Sequence, residues 1–338
     1  MAPNKADTVC DEPEITLSGI SERELKNFET VKTEKLKWFF FREEWTIRWE
    51  VVALHTFFYA VTIYGLLTYP YFQRYTTLLW AYFVYTYTMF GVTGGIHRYW
   101  SHKCFKARLP LRLLLAFCYV SANQIPFRSW IQIHRVHHKF TDTEADPHNS
   151  RRGFFYCHVG WLMIKRPKEV VEKFKQLDMT DIDADGIVRF CDRHFTVLRI
   201  IALYLSIAVP VYCWNESWYY SSLAQFMRYV ISLNTTFTVN SFAHMFGYKP
   251  YDKNILPAEN RFVVYATHGE GWHNYHHTFP YDYRSSEIGG SKFDLTATLI
   301  RFFERIGWAY DLKQPSDSLV EKTALNRGDG TLLKSLIN

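Results

Sequence analysis

Four apolar segments, separated by long polar stretches, constrain the fold of this 338-residue chain more than any other feature of its sequence. A helix that crosses the hydrocarbon core of a bilayer needs about 20 apolar residues, and each segment has about that length. The segments lie at about residues 51–69, 76–95, 195–212 and 223–246. Tyrosine and tryptophan near their ends favour the membrane–water interface. The pattern predicts an all-α integral membrane protein whose four spans form two hairpins.

The short links within these hairpins, around residues 70–74 and 213–219, carry one basic residue, Arg74. The long polar regions 98–193 and 247–338 then lie with the N-terminus on the other side of the membrane. Because lysine and arginine accumulate in cytosolic loops, we expect that side to be the cytosol. We interpret the chain as a flexible cytosolic tail (1–37), a folded domain (38–315) and a cytosolic C-terminal tail (316–338).

Nine of the 14 histidines occur at spacings that suit metal binding. Residues three and four positions apart share one face of an α-helix, so an HxxHH run can aim three imidazoles at a single point. The candidate ligands are His97 and His102 (HxxxxH), His134, His137 and His138 (HxxHH), His273, His276 and His277 (HxxHH), and the pair Asn240 and His244. Nine imidazoles exceed what one ion binds, which indicates two metal ions with four or five ligands each.

The HxxxxH run needs a special backbone. Five residues turn an α-helix by about 500°, so the rings of His97 and His102 would diverge on a regular helix. They can converge only if the helix ends or distorts near Ser101, where the second span is expected to leave the membrane.

The stretch 109–127 contains an apolar run of only about ten residues, which is short for a span. Arg108, Arg112 and Arg128 bracket it. If it crossed the bilayer, the histidine runs before and after it would lie on opposite sides and could not share a metal site. We therefore interpret it as a helix that lies on, or dips into, one face of the membrane.

The ligand types favour iron. Imidazole binds iron, zinc, copper and nickel, but structural zinc sites commonly include cysteine, and Cys104 is the one cysteine near a cluster. A redox-active pair of irons fits better. Because histidine ligands leave the metal charge uncompensated, we expect carboxylates to balance it and to orient the rings. The candidates are Asp142, Glu144, Asp146, Glu270 and Asp282.

Beyond the histidine runs, several stretches resemble animal acyl-CoA desaturases, the stearoyl-CoA desaturase family. They are TEADPHNSRRGFF at 143–155, HVGW at 158–161, FGYKPYD at 246–252 and GEGWHNYHH at 269–277. The resemblance extends over about residues 38–315. The run GDGT at 328–331 looks like insect members, and LPAE at 256–259 resembles the tetrapeptide of moth desaturases that act at carbon 10 or 11 in pheromone synthesis.

The resemblance implies an endoplasmic reticulum enzyme that uses O2 to introduce a double bond into a long-chain fatty acyl-CoA. It implies two Fe²⁺ ions held by the nine histidines, with Asn240 holding one iron through water. Electrons would come from NADH through cytochrome b5 and its reductase. The double-bond position stays open between carbon 9 and carbons 10 or 11. No nucleic-acid partner is expected, because the chain has no compact basic and aromatic face.

Five residues are candidates for substrate contacts. By resemblance, the acyl chain threads a bent apolar tunnel under the metals, and Gln124, Trp130 and Thr236 fall where the family shapes the bend. Lys165 and Arg166 match a basic pair of the family and could bind CoA phosphates. The alternative reading of this pair is ordinary cytosolic positive charge.

The chain departs from the family's pattern at three positions. Gln132 and Ile133 stand where an arginine and an aspartate usually precede the first HxxHH run, and Glu50 stands where an asparagine is common. Because the usual residues would contact the CoA head group, these changes indicate altered head-group recognition.

Two other functions are compatible with the same residues. The first is hydroxylation, or another lipid oxidation, at the same di-iron site. The second is a non-catalytic membrane metal protein, although metal carriers usually place their ligands within the membrane, whereas most of these histidines lie outside the expected spans.

Overall fold

The computed structural model describes residues 45–285 and 293–331, and these are mostly helical. The α-helices are α1 (Trp49–Thr68), α2 (Tyr75–Phe90), α3 (Leu109–Ser121), α4 (Phe127–Lys139), α5 (Phe154–His158), α6 (Lys168–Gln176), α7 (Thr180–Asp183), α8 (Gly186–Arg193), α9 (Phe195–Trp214), α10 (Trp218–Met245), α11 (Arg261–Thr267), α12 (His273–Thr278), α13 (Leu295–Arg305) and α14 (Asp317–Arg327). A π-helix (Gly91–Ser101), two 3-10 turns (Ser150–Arg152 and Gly160–Leu162) and strands β1 (Lys106–Ala107) and β2 (Ala309–Tyr310) complete the elements. The tail expected at 1–37 lies outside the described residues.

Two of the four expected spans are long and apolar enough to cross a membrane. Within the described residues these are α1 and α9, each of 20 residues. The other two expected spans are helical but do not meet both criteria. Helix α2 has 16 residues before it continues as the π-helix, and α10 has 28 residues with Gln225 and Arg228 buried among its apolar ones. Length and composition therefore support two spans directly.

The two links expected on the lumenal side contact each other. Arg74, which precedes α2, forms an ion pair of 2.6 Å with Glu216, in the link between α9 and α10. The other carboxylate oxygen of Glu216 accepts a hydrogen bond of 2.7 Å from the Thr77 hydroxyl. Glu216 is buried, so the contact fixes the two links side by side, as expected if both hairpins turn on the same side.

The π-helix and α3 form the centre of the largest apolar cluster. Ile96, Leu115 and Ile131 are each fully buried there. The backbones approach so closely that a Cβ atom at Gly91 would lie 2.3 Å from Cys118 C and from Tyr119 N. Glycine is thus required at this crossing, which sets α3 beside the helix that carries the HxxxxH run.

The C-terminal residues fold against the rest of the chain. Strands β1 and β2 pair antiparallel, with Lys106 opposite Tyr310. Helix α14 then packs through Val320 and Ala324 onto Tyr251 and Tyr275. Part of the segment that we interpreted as a C-terminal tail (316–338) is therefore a packed helix, while residues 332–338 lie outside the described residues.

Candidate metal centre

The nine histidines meet in two neighbouring groups. Within each group, one potential ligand atom per residue lies within 4.8 Å of all the others. The first group contains His97, His102, His134, His138 and His276, and the second contains His137, His244, His273 and His277. Five and four imidazoles match the expected number for two metal ions.

Each HxxHH run is divided between the two groups, so the expectation that its three imidazoles share one point is wrong. On α4, His134 and His138 belong to the first group and His137 to the second. On α12, His273 and His277 belong to the second group. Around a helix, residue i+4 lies about 40° from residue i, whereas residue i+3 lies about 60° from residue i in the opposite direction. The i, i+4 pair therefore stays together.

The π-helix explains how the HxxxxH run converges. In a π-helix the backbone bonds join residues five apart, and the His102 N–H donates to the His97 carbonyl at 3.1 Å. The two rings consequently lie on one face in an edge-to-face arrangement, with their centroids 5.0 Å apart. The expected distortion is present as an 11-residue π-helix, and this helix ends at Ser101, as expected.

Three of the five expected carboxylates contact the histidines. Glu270 lies 2.9 Å from Nδ1 of His97, Asp146 lies 2.9 Å from Nδ1 of His137, and Asp142 lies 3.1 Å from Nδ1 of His244. Carboxylates in this position hold a ligating ring in orientation and make its other nitrogen a better ligand. The other two expected acids bond elsewhere, since Glu144 pairs with Arg152 and Asp282 accepts from the hydroxyl of Tyr275 and pairs with Arg284.

The donor set fits bound cations. Nε2 of His276 lies 3.0 Å from Nε2 of both His97 and His138, and Nε2 of His273 lies 3.0 Å from Nε2 of His244. Burial and neighbouring imidazoles hold the pKa of His138, His276 and His273 well below the usual range. Neutral rings that donate through Nδ1 turn unprotonated nitrogens towards one another. This holds for His97 and His244, whose Nδ1 atoms contact carboxylates, and the Nε2 lone pair of each is directed into its group, where it can bind a cation.

Arg98 supports the first group through Glu270, the carboxylate that contacts His97. It is fully buried, and its guanidinium donates to Glu270 at 2.7 Å and to Asp294 at 3.1 Å. Although burial alone would raise it, the pKa of Glu270 falls to about 2 because of Arg98 and His97. Burial raises the pKa of Asp294 to about 6, against the effect of Arg98. Arg98 therefore keeps Glu270 ionised against the His97 ring.

An apolar cavity of about 250 Å³ reaches the histidines from beside α1. Gln124, Trp130 and Thr236 all line it, together with Asn240 and His134. The first three form a hydrogen-bonded chain, in which Trp130 Nε1 donates to Gln124 Oε1 at 3.1 Å and Gln124 Nε2 donates to Thr236 Oγ1 at 3.0 Å. The structure thus brings the three residues expected at the bend into direct contact beneath the metal centre.

A smaller cavity of about 50 Å³ is lined by Trp130 and Thr236 of these hydrogen-bonded side chains and by histidines of both groups. Trp130, Thr236 and Asn240 line both cavities, and His97 and His273 line the smaller one. Asn240 thus lines a cavity that histidines of both groups also line. The two cavities offer a chain-shaped molecule an apolar path that passes the histidines.

Comparison with known proteins assigns the family. A family model described as "Fatty acid desaturase" matches residues 74–285, which include all nine histidines. The chain belongs to the fatty acid desaturase family. It is 43% identical to an acyl-CoA Delta-12 desaturase of Tribolium castaneum over 290 residues, covering 85% of this chain and 81% of that protein.

Two further relatives of this desaturase span vertebrates and moths. Stearoyl-CoA desaturase 5 of Bos taurus is 45% identical over 287 residues, covering 84% of this chain and 85% of that protein. An acyl-CoA Delta(11) desaturase of Choristoneura rosaceana is 39% identical over 336 residues, covering 98% of this chain and 95% of that protein. Relatives with different double-bond positions are thus similarly close, which leaves the position in this desaturase open.

The residues expected near a CoA head group lie at the rim of the desaturase's cavity. Residues 46–48 pair with 163–165, where Lys165 N donates to Thr46 O at 2.9 Å, so Lys165 lies near Arg48, which lines the cavity. Lys165 and Arg166 are exposed, and neither lines the cavity. Of the departures from the family pattern, Glu50 pairs with Arg48 at 3.1 Å.

The other two departures lie on α4. Gln132 donates to the carbonyl of Phe174 on α6 at 3.1 Å, whereas Ile133 lines the cavity. Gln132 therefore contacts a neighbouring helix, and Ile133 adds an apolar side chain to the wall of the cavity.

Three residues that matter to the desaturase's site were missed from the sequence. Arg98 and Asn274 lie inside the histidine runs but are not among the candidate ligands, and both are fully buried. His148 is not among the nine candidate ligands either, yet it forms a potential metal-binding group with His137 and Asp146. A charged or amide residue between ligands, in a stretch expected to be buried, is the signal that could have revealed the first two.

Proposed function

We propose that this desaturase introduces a double bond into a long-chain fatty acyl-CoA in an O2-dependent reaction at two iron ions. The observation that carries the proposal is the pair of all-imidazole groups facing one end of an apolar cavity. Relatives named as Delta-9, Delta-11 and Delta-12 acyl-CoA desaturases support the substrate class. The double-bond position is left to measurement.

In this proposal His97, His102, His134, His138 and His276 hold one iron, and His137, His244, His273 and His277 hold the other, with Asn240 beside them through water. Bound iron would supply the activation of O2 for removal of two hydrogens from adjacent methylenes. The protein's residues hold the geometry: Glu270, Asp146 and Asp142 fix the rings through Nδ1. The cavity walls exclude water from the reacting carbons.

The acyl chain would pass from the rim at Arg48 to the histidines, with Lys165 and Arg166 near the CoA phosphates. The chain of Trp130, Gln124 and Thr236 forms one wall of this path. Because these side chains saturate one another's polar atoms, they present a fixed shape to the substrate. That shape would select which methylenes lie beside the metals.

Replacing Thr236 with valine should loosen this wall. The change keeps the side-chain shape but removes the hydroxyl that accepts from Gln124, at a cost of about 1 kcal/mol, or roughly fivefold in kcat/KM. We expect the products to include a second double-bond position. Fatty-acid analysis with location of the alkene measures both effects. Thr238→Val on the same helix is the control, because both hydroxyls donate to a backbone carbonyl but only that of Thr236 also accepts from Gln124. An identical product pattern for both variants would contradict the role of the wall.

Electrons would come from NADH through cytochrome b5 and its reductase. A cleft of about 450 Å³ lies beside the first histidine group, since Lys103, which lines it, directly follows His102. Lys106 and Lys313 also line this cleft. Three lysines and Arg112 outnumber the two aspartates of the lining, Asp181 and Asp185, so the cleft favours an acidic partner surface.

Charge reversal at Lys313 should weaken this docking. For Lys313→Glu we expect KM for cytochrome b5 to rise about threefold at low salt, since a rim charge contributes up to about 1 kcal/mol. Steady-state NADH oxidation at varied cytochrome b5 concentration measures it. The difference should fade as ionic strength increases. A KM that is unchanged at low salt would place the docking surface elsewhere.

The proposal includes four membrane spans in the endoplasmic reticulum, with both termini and the metal centre in the cytosol. The Arg74–Glu216 pair supports one shared side for the two links. Glycosylation acceptors inserted next to Gln73 or next to Asn215 should be modified, whereas an acceptor near Asp178 should not. Modification near Asp178 would reverse the orientation.

Expression in a yeast that lacks its own desaturase tests the proposed function as a whole. Growth without added unsaturated fatty acid, together with new alkenes in the extracted lipids, is the expected result. Hydroxy acids without alkenes would instead assign hydroxylation. Growth failure and unchanged lipids from a well-expressed, iron-loaded protein would remove the catalytic proposal.

A further inference from the structure

Helix α12 carries three of the nine histidines but has only six residues. A helix this short is unstable on its own, because nucleation costs more than so few backbone bonds return. His273, His276 and His277 therefore depend on contacts outside the helix for their orientation.

The first of these contacts is a buried amide within the helix. Asn274 Oδ1 accepts from the backbone N–H groups of Tyr251 and Asp252 at 2.8 and 3.0 Å. Its Nδ2 donates to the carbonyls of Asp252 and Pro257 at 2.8 and 2.9 Å. All four hydrogen-bonding positions of the amide are used, so α12 is fixed to the loop at 249–257.

That loop is in turn held by the C-terminal segment. Arg327 pairs with the buried carboxylate of Asp252, and the Arg327 carbonyl accepts from Lys253 N at 2.9 Å. Asp329 bonds the backbone of Lys249 in both directions, at 2.6 and 3.1 Å. At Gly328 a Cβ atom would lie 2.1 Å from the Pro250 carbonyl oxygen, so the two backbones are in direct contact.

The apolar side of the same segment reaches the ligand helix itself. Val320 and Ala324 on α14 form one buried cluster with Tyr251, Tyr275 and Phe279. Tyr275 lies between His273 and His276 in the sequence. The segment thus supports α12 both directly and through the loop, although it lies beyond residues 74–285, where the family model matches.

We infer that residues 316–331 act as a positioning clamp for α12. The clamp keeps the three histidines of α12, one in the first group and two in the second, in the geometry that holds the metals. The inference rests on the proposed function for its metal consequence. Its structural part, the ordering of α12 by the C-terminal segment, does not depend on which reaction the site performs.

The test combines Arg327→Met with Asp329→Asn in the full-length protein. Hydrogen–deuterium exchange of the purified protein, before and after iron chelation, reports on α12. We expect the amides of residues 273–278 to exchange at least tenfold faster than in the parent protein, with peptides from α9 unchanged. Iron release to a chelator should also become about tenfold faster. The control combines Glu321→Gln with Lys322→Met, two exposed residues on the outer side of α14.

A second variant, Val320→Ala, tests the apolar half and leaves every charge in place. It should give the same local increase in exchange at α12. Unchanged exchange of residues 273–278 in both variants would overturn the clamp. If the parent protein holds no iron, the proposed function fails while the exchange data still decide the clamp, so the two failures are distinguishable.

Discussion

Replacing His137 with alanine is expected to abolish desaturation, with a loss of more than about 100-fold in product formation. Its Nε2 lies 3.3 Å from Nε2 of His277 in the second histidine group, and its Nδ1 bonds to Asp146. Loss of groups that only orient a ligand typically costs 10- to 100-fold in metal affinity or activity, and loss of the ligand itself should cost more. Fatty-acid analysis of yeast that expresses the variant measures the activity.

Metal content distinguishes a lost ligand from a lost fold. We expect iron in the purified His137→Ala protein to fall from about two ions per chain towards one, with the same elution from a sizing column. His194→Ala is the matched control, because His194 is an exposed histidine at the start of α9, outside both groups. Full activity of the His137 variant, or equal loss in both variants, would count against the proposed centre.

The histidine spacing was enough to predict the candidate ligands, because the periodicity of a helix depends only on the local sequence. The three runs and His244 converge as two groups of the expected size. The assignment of ligands to groups was not accessible in the same way. Whether His137 joins His134 or His277 depends on where a second helix lies, and α12 is brought there by a loop and a C-terminal segment with no ligand pattern of their own.

The spacing of the HxxxxH run showed that its helix must end or distort, but not what form the distortion takes. Sequence geometry demanded a distortion near Ser101, but it indicated neither the 11-residue length of the π-helix nor the close contact of Gly91 with α3. The cavity shows the same limit. Thr236 lies 112 residues after Gln124 in the sequence, and only the family resemblance indicated that it meets Gln124 and Trp130.

The membrane helices were predicted by their apolar length, and α1 and α9 fit that criterion. Helices α2 and α10 do not, for a physical reason. They carry the site at their ends, so polar residues such as Asn234 and Asn240 replace apolar ones, and the π-helix takes over where α2 ends. Polar residues near the site lower the hydropathy of α10, and the change of winding shortens α2, so apolar length alone does not assign these two helices as spans.

Arg98 gives the largest expected effect on stability. Replacing it with methionine would leave Glu270 and Asp294 as buried carboxylates without their guanidinium partner. Removal of one member of a buried ion pair typically costs about 3–5 kcal/mol, so we expect a large fall in the thermal midpoint of the detergent-solubilised protein and low expression. The partner of His97 would also be lost, because Glu270 would no longer be held ionised.

Neutralising the carboxylates as well separates these two effects. In the triple variant Arg98→Met, Glu270→Gln and Asp294→Asn no buried charge is left unpaired, and apolar or neutral replacements of buried ion pairs are often close to neutral in stability. We expect most of the thermal midpoint to return while activity stays at least about tenfold low, since an amide at position 270 orients the His97 ring less strongly than a carboxylate. Recovery of both properties would reduce Arg98 to a structural residue. Recovery of neither would mean that the cluster stabilises the fold through more than its charges.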